Sequence, residues 1–219
     1  MNFYQHLQQA TADERQTLLS VPLIGAALAG RVNRRDYLAF LSRAYHHVKH
    51  TVPLLMACGA RLPDQDEWLR TAIAHYIEEE IGHHEWILND IEAAGGDAAA
   101  VRASRPDFAT DVMVAYAYDT VSRRNPVGFF GMVYVLEGTS VSLASQLAEK
   151  LQKSLALPPA AFSYLSSHGA LDIEHLGHFE KLVNRFADSA DREAVVACAK
   201  TFFRLYGNVL RSIKLEEAA

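Results

Sequence analysis

The sequence predicts an all-α protein of about seven or eight helices. Apolar residues recur at intervals of three and four along almost every segment, which is the spacing of a helix face. Proline and glycine, which interrupt helices, fall mostly at the joints between these segments. The 219 residues contain no internal repeat, no low-complexity segment and no long linker, so we expect one domain over residues 1–219.

Four helices are predicted in the first half of the chain, over residues 2–19, 20–30, 33–60 and 63–94. The sequence leaves open whether the first of these helices is broken near its middle. Pro22 lies where a helix starts and Gly30 where one ends. Pro53 should bend the third helix because it removes a backbone donor. The fourth is closed by Gly95 and Gly96.

A short piece over residues 97–103 leads to four further helices, over residues 108–123, 125–155, 160–187 and 189–215. Asn125 and Pro126 suit the N-cap and first position of the second of these. Pro158 and Pro159 separate the second from the third. Ser189 is expected to cap the last helix, whose first turn is acidic and therefore favours the helix dipole.

Charge and composition exclude several classes of protein. The net charge of −5 offers no basic surface for nucleic acid and no polybasic signal for a membrane. Cys58 and Cys198 stand apart in apolar contexts without a CxxC motif, which disfavours disulfides and thiolate metal sites. We see no signal peptide and no apolar run of about 20 residues, so a cytoplasmic protein is expected.

The stretch SHGALDIEHLGHFE contains the strongest metal-binding pattern. On a helix, His168, Asp172 and His175 occupy positions i, i+4 and i+7 and share one narrow stripe. Two imidazoles and a carboxylate form a metal-ligand set. The alternative is an amphipathic helix whose histidines cap, hydrogen-bond or face water, and the choice depends on ligands elsewhere in the chain.

The stretch YIEEEIGHHEWILND offers a second group of ligands. Glu80 and His83 form the Glu-x-x-His arrangement that helical di-iron carboxylate proteins use. Glu79 with His83, or Glu80 with His84, would also share a helix face, so the register is open by one residue. Asp90 is expected to accept a hydrogen bond from the His83 ring. A solvated acidic face is the alternative interpretation.

A third group is the single carboxylate in FFGMVYVLEGTS. Glu137 ends a strongly apolar run and is its only charge. A carboxylate buried in such a place must be protonated, hydrogen-bonded or bound to a cation. An ion pair with an arginine supplied by the fold is the alternative to a metal. Together the three stretches supply oxygen and nitrogen ligands, which suit iron or manganese.

Three histidines on the helix from residue 33 form a further cluster, His46, His47 and His50. His46 and His50 lie one turn apart on a helix, and His47 is three residues from His50. One of these faces is expected to line the site. A histidine patch on the surface is the alternative.

The segment VPLIGAALAGRVNRRDYLAFLSRAYHHV resembles the early part of the heme-oxygenase-like helical proteins, which include TenA, PqqC and the chlamydial CADD group. The ligand pattern is more similar to one branch, the non-heme di-iron oxidases and oxygenases. There a Glu and a His come from one helix, a lone Glu from a second, and His-x3-Asp-x2-His from a third. The resemblance implies these metal ligands: Glu80, His83, Glu137, His168, Asp172 and His175.

The same resemblance implies a single heme-oxygenase-like helical domain and a homodimer. It implies two iron ions per chain, with manganese as an alternative. The expected activity is oxidation or oxygenation of a small organic or fatty-acid-like substrate by O2, with neither nucleic acid nor a membrane as a partner.

Two other functions are consistent with this superfamily. One is a TenA- or PqqC-like metal-free enzyme, either a thiaminase-type hydrolase or a cofactorless oxidase. The TenA thiaminases use a catalytic cysteine, and neither Cys58 nor Cys198 lies in a matching context. The other is a non-catalytic regulatory protein.

Overall fold

The computed structural model describes residues 1–215, except for the side chains of residues 140–145 and 168–176. Within this part of the chain there are twelve α-helices, three short 3-10 helices and no strand. The predicted all-α class is confirmed, whereas the predicted number of seven or eight helices is wrong. The α-helices are α1 (Phe3–Ala10), α2 (Ala12–Leu19), α3 (Pro22–Leu28), α4 (Arg34–Val48), α5 (Thr51–Arg61), α6 (Glu67–Glu80), α7 (His83–Ala93), α8 (Ala98–Ala103), α9 (Phe108–Arg123), α10 (Phe130–Leu155), α11 (Ser163–Val183) and α12 (Ser189–Arg211).

The helix count differs because three predicted helices are each divided in two, and because the short piece predicted over residues 97–103 contains a helix of its own, α8. The first is divided at Thr11, between α1 and α2. The third is divided between α4 and α5, and Pro53 lies in the first turn of α5, where a missing N–H leaves no bond unmade. The fourth is divided at Gly82, whose φ of +92° lies in the left-handed region and ends α6.

The three long helices α10, α11 and α12 pack together, with α10 in contact with both of the others. Helices α10 and α12 approach closely at Gly131. A Cβ on that glycine would lie 2.5 Å from the Val195 carbonyl oxygen and 2.6 Å from the Ala199 amide nitrogen. Only glycine lets the α10 backbone approach α12 at this distance. The buried rings of Phe130 and Phe186 meet edge to face beside the same helices and extend the core.

A buried carboxylate joins α7 to the start of α11. Asp90 is fully buried and accepts hydrogen bonds from the Ser163 amide at 3.0 Å, the Tyr164 amide at 2.9 Å and the Ser163 hydroxyl. Burial raises the pKa of Asp90, and the hydrogen bonds from Ser163 and Tyr164 oppose that rise. The prediction that Asp90 accepts from His83 is therefore wrong, because its oxygens cap α11 instead.

A tyrosine on α4 fixes the same junction from the other side. The buried Tyr37 hydroxyl donates to the Ala161 carbonyl at 2.7 Å, and its ring stacks on Phe162 with centroids 5.0 Å apart. The connection between α10 and α11 is thus held by both α4 and α7. Within the described residues, no helix combines the length and hydropathy that a bilayer span requires.

Replacing Asp90 by alanine should destabilise the fold strongly, since two buried amides and a hydroxyl lose their acceptor. We expect a loss of about 3 kcal/mol in the free energy of unfolding. The matched control is Asp188→Ala, because Asp188 caps α12 at an exposed position through the Ala190 amide at 2.8 Å. That change should cost about 1 kcal/mol. Equal losses for the two variants in urea unfolding would show that the Asp90 cap carries no special weight.

Candidate metal centre

A largely apolar cavity of about 150 Å³ lies between α3, α4, α5, α6, α10, α11 and α12. Most of its described lining is aliphatic or aromatic, and none of the described lining residues is a lysine or an arginine. The polar members of that lining are Asp36, Tyr37, His47, Thr51, Tyr76, Glu80, Glu137, Thr139, Tyr164 and Tyr206. Carboxylates in such surroundings are costly unless they gain protons, hydrogen bonds or a cation.

Glu80 and His83 meet at the break between α6 and α7. Glu80 is the last residue of α6 and His83 is the first of α7, so they do not share one continuous helix. The left-handed Gly82 separates the two helices, while Ile81 points to solvent with 68% of its surface exposed. The His83 Nδ1 lies 3.1 Å from the Glu80 Oε2, and both side chains are well enclosed. The break therefore brings the two predicted ligands together.

Glu137 reaches the same cavity from α10. Its Oε2 is enclosed by protein, and the side chain lines the cavity together with Glu80. Glu80 and Glu137 belong to different helices and lie 57 positions apart in the sequence (137 − 80). Because no arginine is found among the described lining residues, the arginine ion pair loses support as an explanation for Glu137. A carboxylate pair with a nearby imidazole suits a divalent cation such as iron or manganese.

The remaining three predicted ligands, His168, Asp172 and His175, have side chains outside the described residues. All three belong to α11, which runs from Ser163 to Val183. Their spacing of i, i+4 and i+7 therefore falls on a helix, as the pattern requires. Their role as metal ligands stays a prediction.

Comparison with known proteins gives the family. A family model described as "Iron-containing redox enzyme" matches residues 38–207, most of the chain. The chain belongs to this family of iron-containing redox enzymes. Among proteins of curated function, none matches the sequence.

Solved structures give the fold. A domain of unknown function with a heme oxygenase-like fold from Shewanella denitrificans superposes with a TM-score of 0.84 at 24% identity, over 97% of this chain and 92% of that one. A TenA homologue from Pseudomonas syringae gives 0.80 at 11%, over 96% and 92%. Heme oxygenase-1 from Synechocystis, solved with heme, gives 0.76 at 13%, over 98% and 93%. The predicted heme-oxygenase-like fold is thereby confirmed.

Glu79 and His84, the alternatives to Glu80 and His83, contact other residues. Glu79 carries its Oε1 3.2 Å from the Nε2 of His75, one turn earlier on α6. His84 carries its Nε2 3.2 Å from the Oε1 of Glu85. Among the described residues Glu80 lines the cavity and Glu79 does not. Neither His83 nor His84 is in that lining, but His83 is the histidine bonded to Glu80. Of the two candidate carboxylates, Glu80 is the one that faces the enclosed space.

The side chains of His46, His47 and His50 have different surroundings. His47 is buried and lines the cavity, with its ring edge-on to Tyr206 at 5.9 Å. The His46 Nε2 instead lies 2.9 Å from the Ser104 hydroxyl, and the His50 Nδ1 lies 3.0 Å from the Tyr118 hydroxyl. Burial and then the Lys49 charge lower the pKa of both outer histidines. Of the three, His47 is the one that lines the cavity.

Neither cysteine can serve as a nucleophile in this cavity. Cys58 is fully buried and its thiol donates to the Pro126 carbonyl at 3.3 Å. Burial raises the pKa of Cys58 and of Cys198 to about 12, so both remain thiols at neutral pH. Neither residue lines the cavity among its described residues.

Tyr76 is a polar residue beside the predicted ligands to which the sequence pattern assigns no role in the site. It is buried, lines the cavity and lies four residues, about one helical turn, before Glu80 on α6. Its position in an apolar stripe made it indistinguishable from ordinary core. The spacing to Glu80 was the only signal available, because residues i and i+4 share a helix face.

The break at Gly82 is open to a direct test. Gly82→Ala meets no atom within 4 Å, so its cost comes from the left-handed backbone alone. We expect a loss of about 1 to 2 kcal/mol in the free energy of unfolding, measured by urea titration. Gly25→Ala is the control, since it is an exposed position inside α3 with equal space and an ordinary backbone. It should be neutral or stabilising by roughly 0.5 kcal/mol. Indistinguishable variants would contradict a strained break.

Proposed function

We propose that this protein is a non-heme di-iron oxidase or oxygenase that uses O2 on a small organic or fatty-acid-like substrate. One observation carries the proposal: Glu80 and Glu137, from separate helices, line the same largely apolar cavity, with His83 bonded to Glu80. Carboxylates and imidazoles converging inside a helical bundle are the ligands of non-heme iron sites. Membership in a family of iron-containing redox enzymes supports the choice of metal.

The described residues fit a metal in their chemistry. Glu80 and Glu137 would hold the ions through their oxygens, and His83 through a ring nitrogen. The remaining ligands would be His168, Asp172 and His175 from α11. Bound iron would supply the redox chemistry that O2 activation needs, with manganese as the alternative ion. The contact between Glu80 and the His83 Nδ1 fixes the orientation of that ring, as carboxylates beside metal-binding histidines commonly do.

The rest of the cavity suits an apolar substrate. Aliphatic side chains from α3, α10 and α12, among them Ile24, Leu136 and Leu210, would bury a hydrocarbon group and keep water away from the carboxylates. The Tyr164 side chain lines the same space, and its backbone is fixed by Asp90. A hydroxyl held on such a rigid support can orient a polar group of the substrate.

A heme site fits these residues less well. Heme iron takes its four equatorial ligands from the porphyrin and needs only an axial side chain such as histidine. His47 could serve in that way, but the pair Glu80 and Glu137 would then have no role. Two buried carboxylates on one cavity wall are accounted for by metal ions bound directly to the protein.

The metal-free alternative comprises two kinds of enzyme, a thiaminase-type hydrolase and a cofactorless oxidase. A thiaminase-type hydrolase loses support because the described lining contains no cysteine and both thiols are buried elsewhere. A cofactorless oxidase is the competitor that the first experiment must address. Full oxygen consumption in the presence of a strong chelator would establish it and overturn the iron proposal.

Glu137→Gln should lower the iron content of the protein while keeping its fold. The variant removes a charged oxygen ligand but preserves shape, so we expect binding to weaken by 10-fold or more, at the scale of about 10–100-fold known for groups around metal sites. Anaerobic ferrous titration with elemental analysis measures this loss against about two ions per chain in the wild type. Glu78→Gln is the control, since Glu78 is an exposed neighbour of the predicted ligands on α6. Equal iron contents in the two variants would remove Glu137 from the ligand set.

His175→Ala tests the ligands expected from α11. The variant should lose iron, again by about 10-fold or more in affinity, because an imidazole ligand disappears. Circular dichroism should show an unchanged helical content, which separates loss of metal from loss of fold. Normal iron content in a folded His175→Ala protein would exclude His175 from the site.

The proposal includes the assembly and partners that the resemblance implies. One domain over residues 1–219 would form a homodimer, and its only ligands would be the metal ions, O2 and the organic substrate. Light scattering at several protein concentrations measures the dimer directly.

A further inference from the structure

A second group of potential metal ligands lies on the surface, outside the cavity. It consists of His75 and Glu79 on α6 and His178 on α11. One ligand atom from each of the three residues lies within 4.8 Å of the others. The rings of His75 and His178 have centroids 6.1 Å apart. The three residues are not among the described residues that line the cavity.

The spacing of this group is close to that of a bound metal ion. Ligand atoms about 2.0–2.1 Å from a tetrahedral ion lie roughly 3.3 Å from one another. The His75 Nε2 and the Glu79 Oε1 are already 3.2 Å apart. The two residues are one turn apart on α6, so the helix itself maintains the pair. Only His178 must move inward, by an adjustment that an exposed side chain can make through rotation.

The chemistry of the group favours a borderline divalent cation. Two imidazoles with one carboxylate are a ligand set that zinc uses, and they also bind nickel, cobalt and copper. Three protein ligands leave a fourth position for water. An ordinary surface ion pair between His75 and Glu79 would explain two of the residues, but it would not explain the second imidazole brought in from α11.

We propose that His75, Glu79 and His178 form a second metal site, separate from the cavity, which binds one Zn²⁺-like ion and fastens α6 to α11. The two helices it joins are those that carry Glu80 and the His168, Asp172 and His175 pattern. An ion in this position would restrain the helices on either side of the cavity without entering it. The site would stand or fall independently of the di-iron proposal, because none of its three residues is among the described residues that line the cavity.

The test measures Zn²⁺ bound to tag-free, chelator-stripped full-length protein by equilibrium dialysis and elemental analysis. His75→Ala and His178→Ala should each bind one Zn²⁺ ion per chain fewer than the wild type. His6→Ala is the matched control, because His6 is an exposed histidine on α1 away from the cluster, and it should bind as the wild type does. Zn²⁺ should also raise the thermal midpoint more in the wild type than in His75→Ala or His178→Ala, since binding stabilises the folded state.

A second pair of variants separates this site from the cavity. Glu137→Gln should reduce metal in the cavity and retain the surface ion, whereas His178→Ala should do the reverse. If His178→Ala abolishes Zn²⁺ binding and Glu137→Gln does not, the surface site holds; if the ferrous titration also finds no iron in the cavity, the di-iron proposal fails. Equal Zn²⁺ contents in the wild type, His75→Ala and His178→Ala would overturn the surface site. A difference that appears only above about 1 mM Zn²⁺ would overturn it too, as adventitious binding.

Discussion

The carboxylate of Asp90 holds the first turn of α11 against α7, and the candidate metal centre depends on that bond. Three donors from Ser163 and Tyr164 converge on one buried side chain. Helix α7, which carries Asp90, begins with His83, seven positions or about 10 Å before Asp90. A single rigid element therefore presents a predicted ligand and also positions the helix expected to supply three more. Any displacement of α7 would move both sets of groups together.

The break at Gly82 is the second constraint. An uninterrupted helix would place Glu80 and His83 about 60° apart around its axis, with Ile81 and Gly82 following the same spiral. The left-handed glycine instead sends Ile81 to solvent and lets the Glu80 carboxylate meet the His83 ring. A helix end also leaves backbone groups unpaired, which costs stability that an idealised helix would not lose. Such local irregularity is common where side chains must converge on one point.

A metal ion in the apolar cavity would have two roles, which are to stabilise the fold and to supply the chemistry. Glu80 and Glu137 occupy surroundings in which their charges are costly, so a cation bound there would stabilise the fold as well as perform chemistry. TenA and heme oxygenase structures share the overall arrangement of helices at 11% and 13% identity. Likeness at that level defines the fold, whereas function depends on the groups placed in the cavity. Here those groups are carboxylates, not a reactive thiol.

The sequence by itself determined the all-α class, because helical periodicity and the positions of proline and glycine are local signals. It also offered Glu80 as a ligand, with Glu79 and a solvated acidic face left open. It indicated Glu137 as a buried charge, since a lone carboxylate in an apolar run needs a partner. It could not determine the helix count, because a continuous apolar stripe hides a break such as that at Gly82. Tertiary structure alone decided that Asp90 caps α11 instead of bonding to His83, and that His47 faces the cavity while His46 and His50 do not. These choices depend on which distant backbone or side-chain groups meet each residue, and sequence spacing carries no information about contacts between helices.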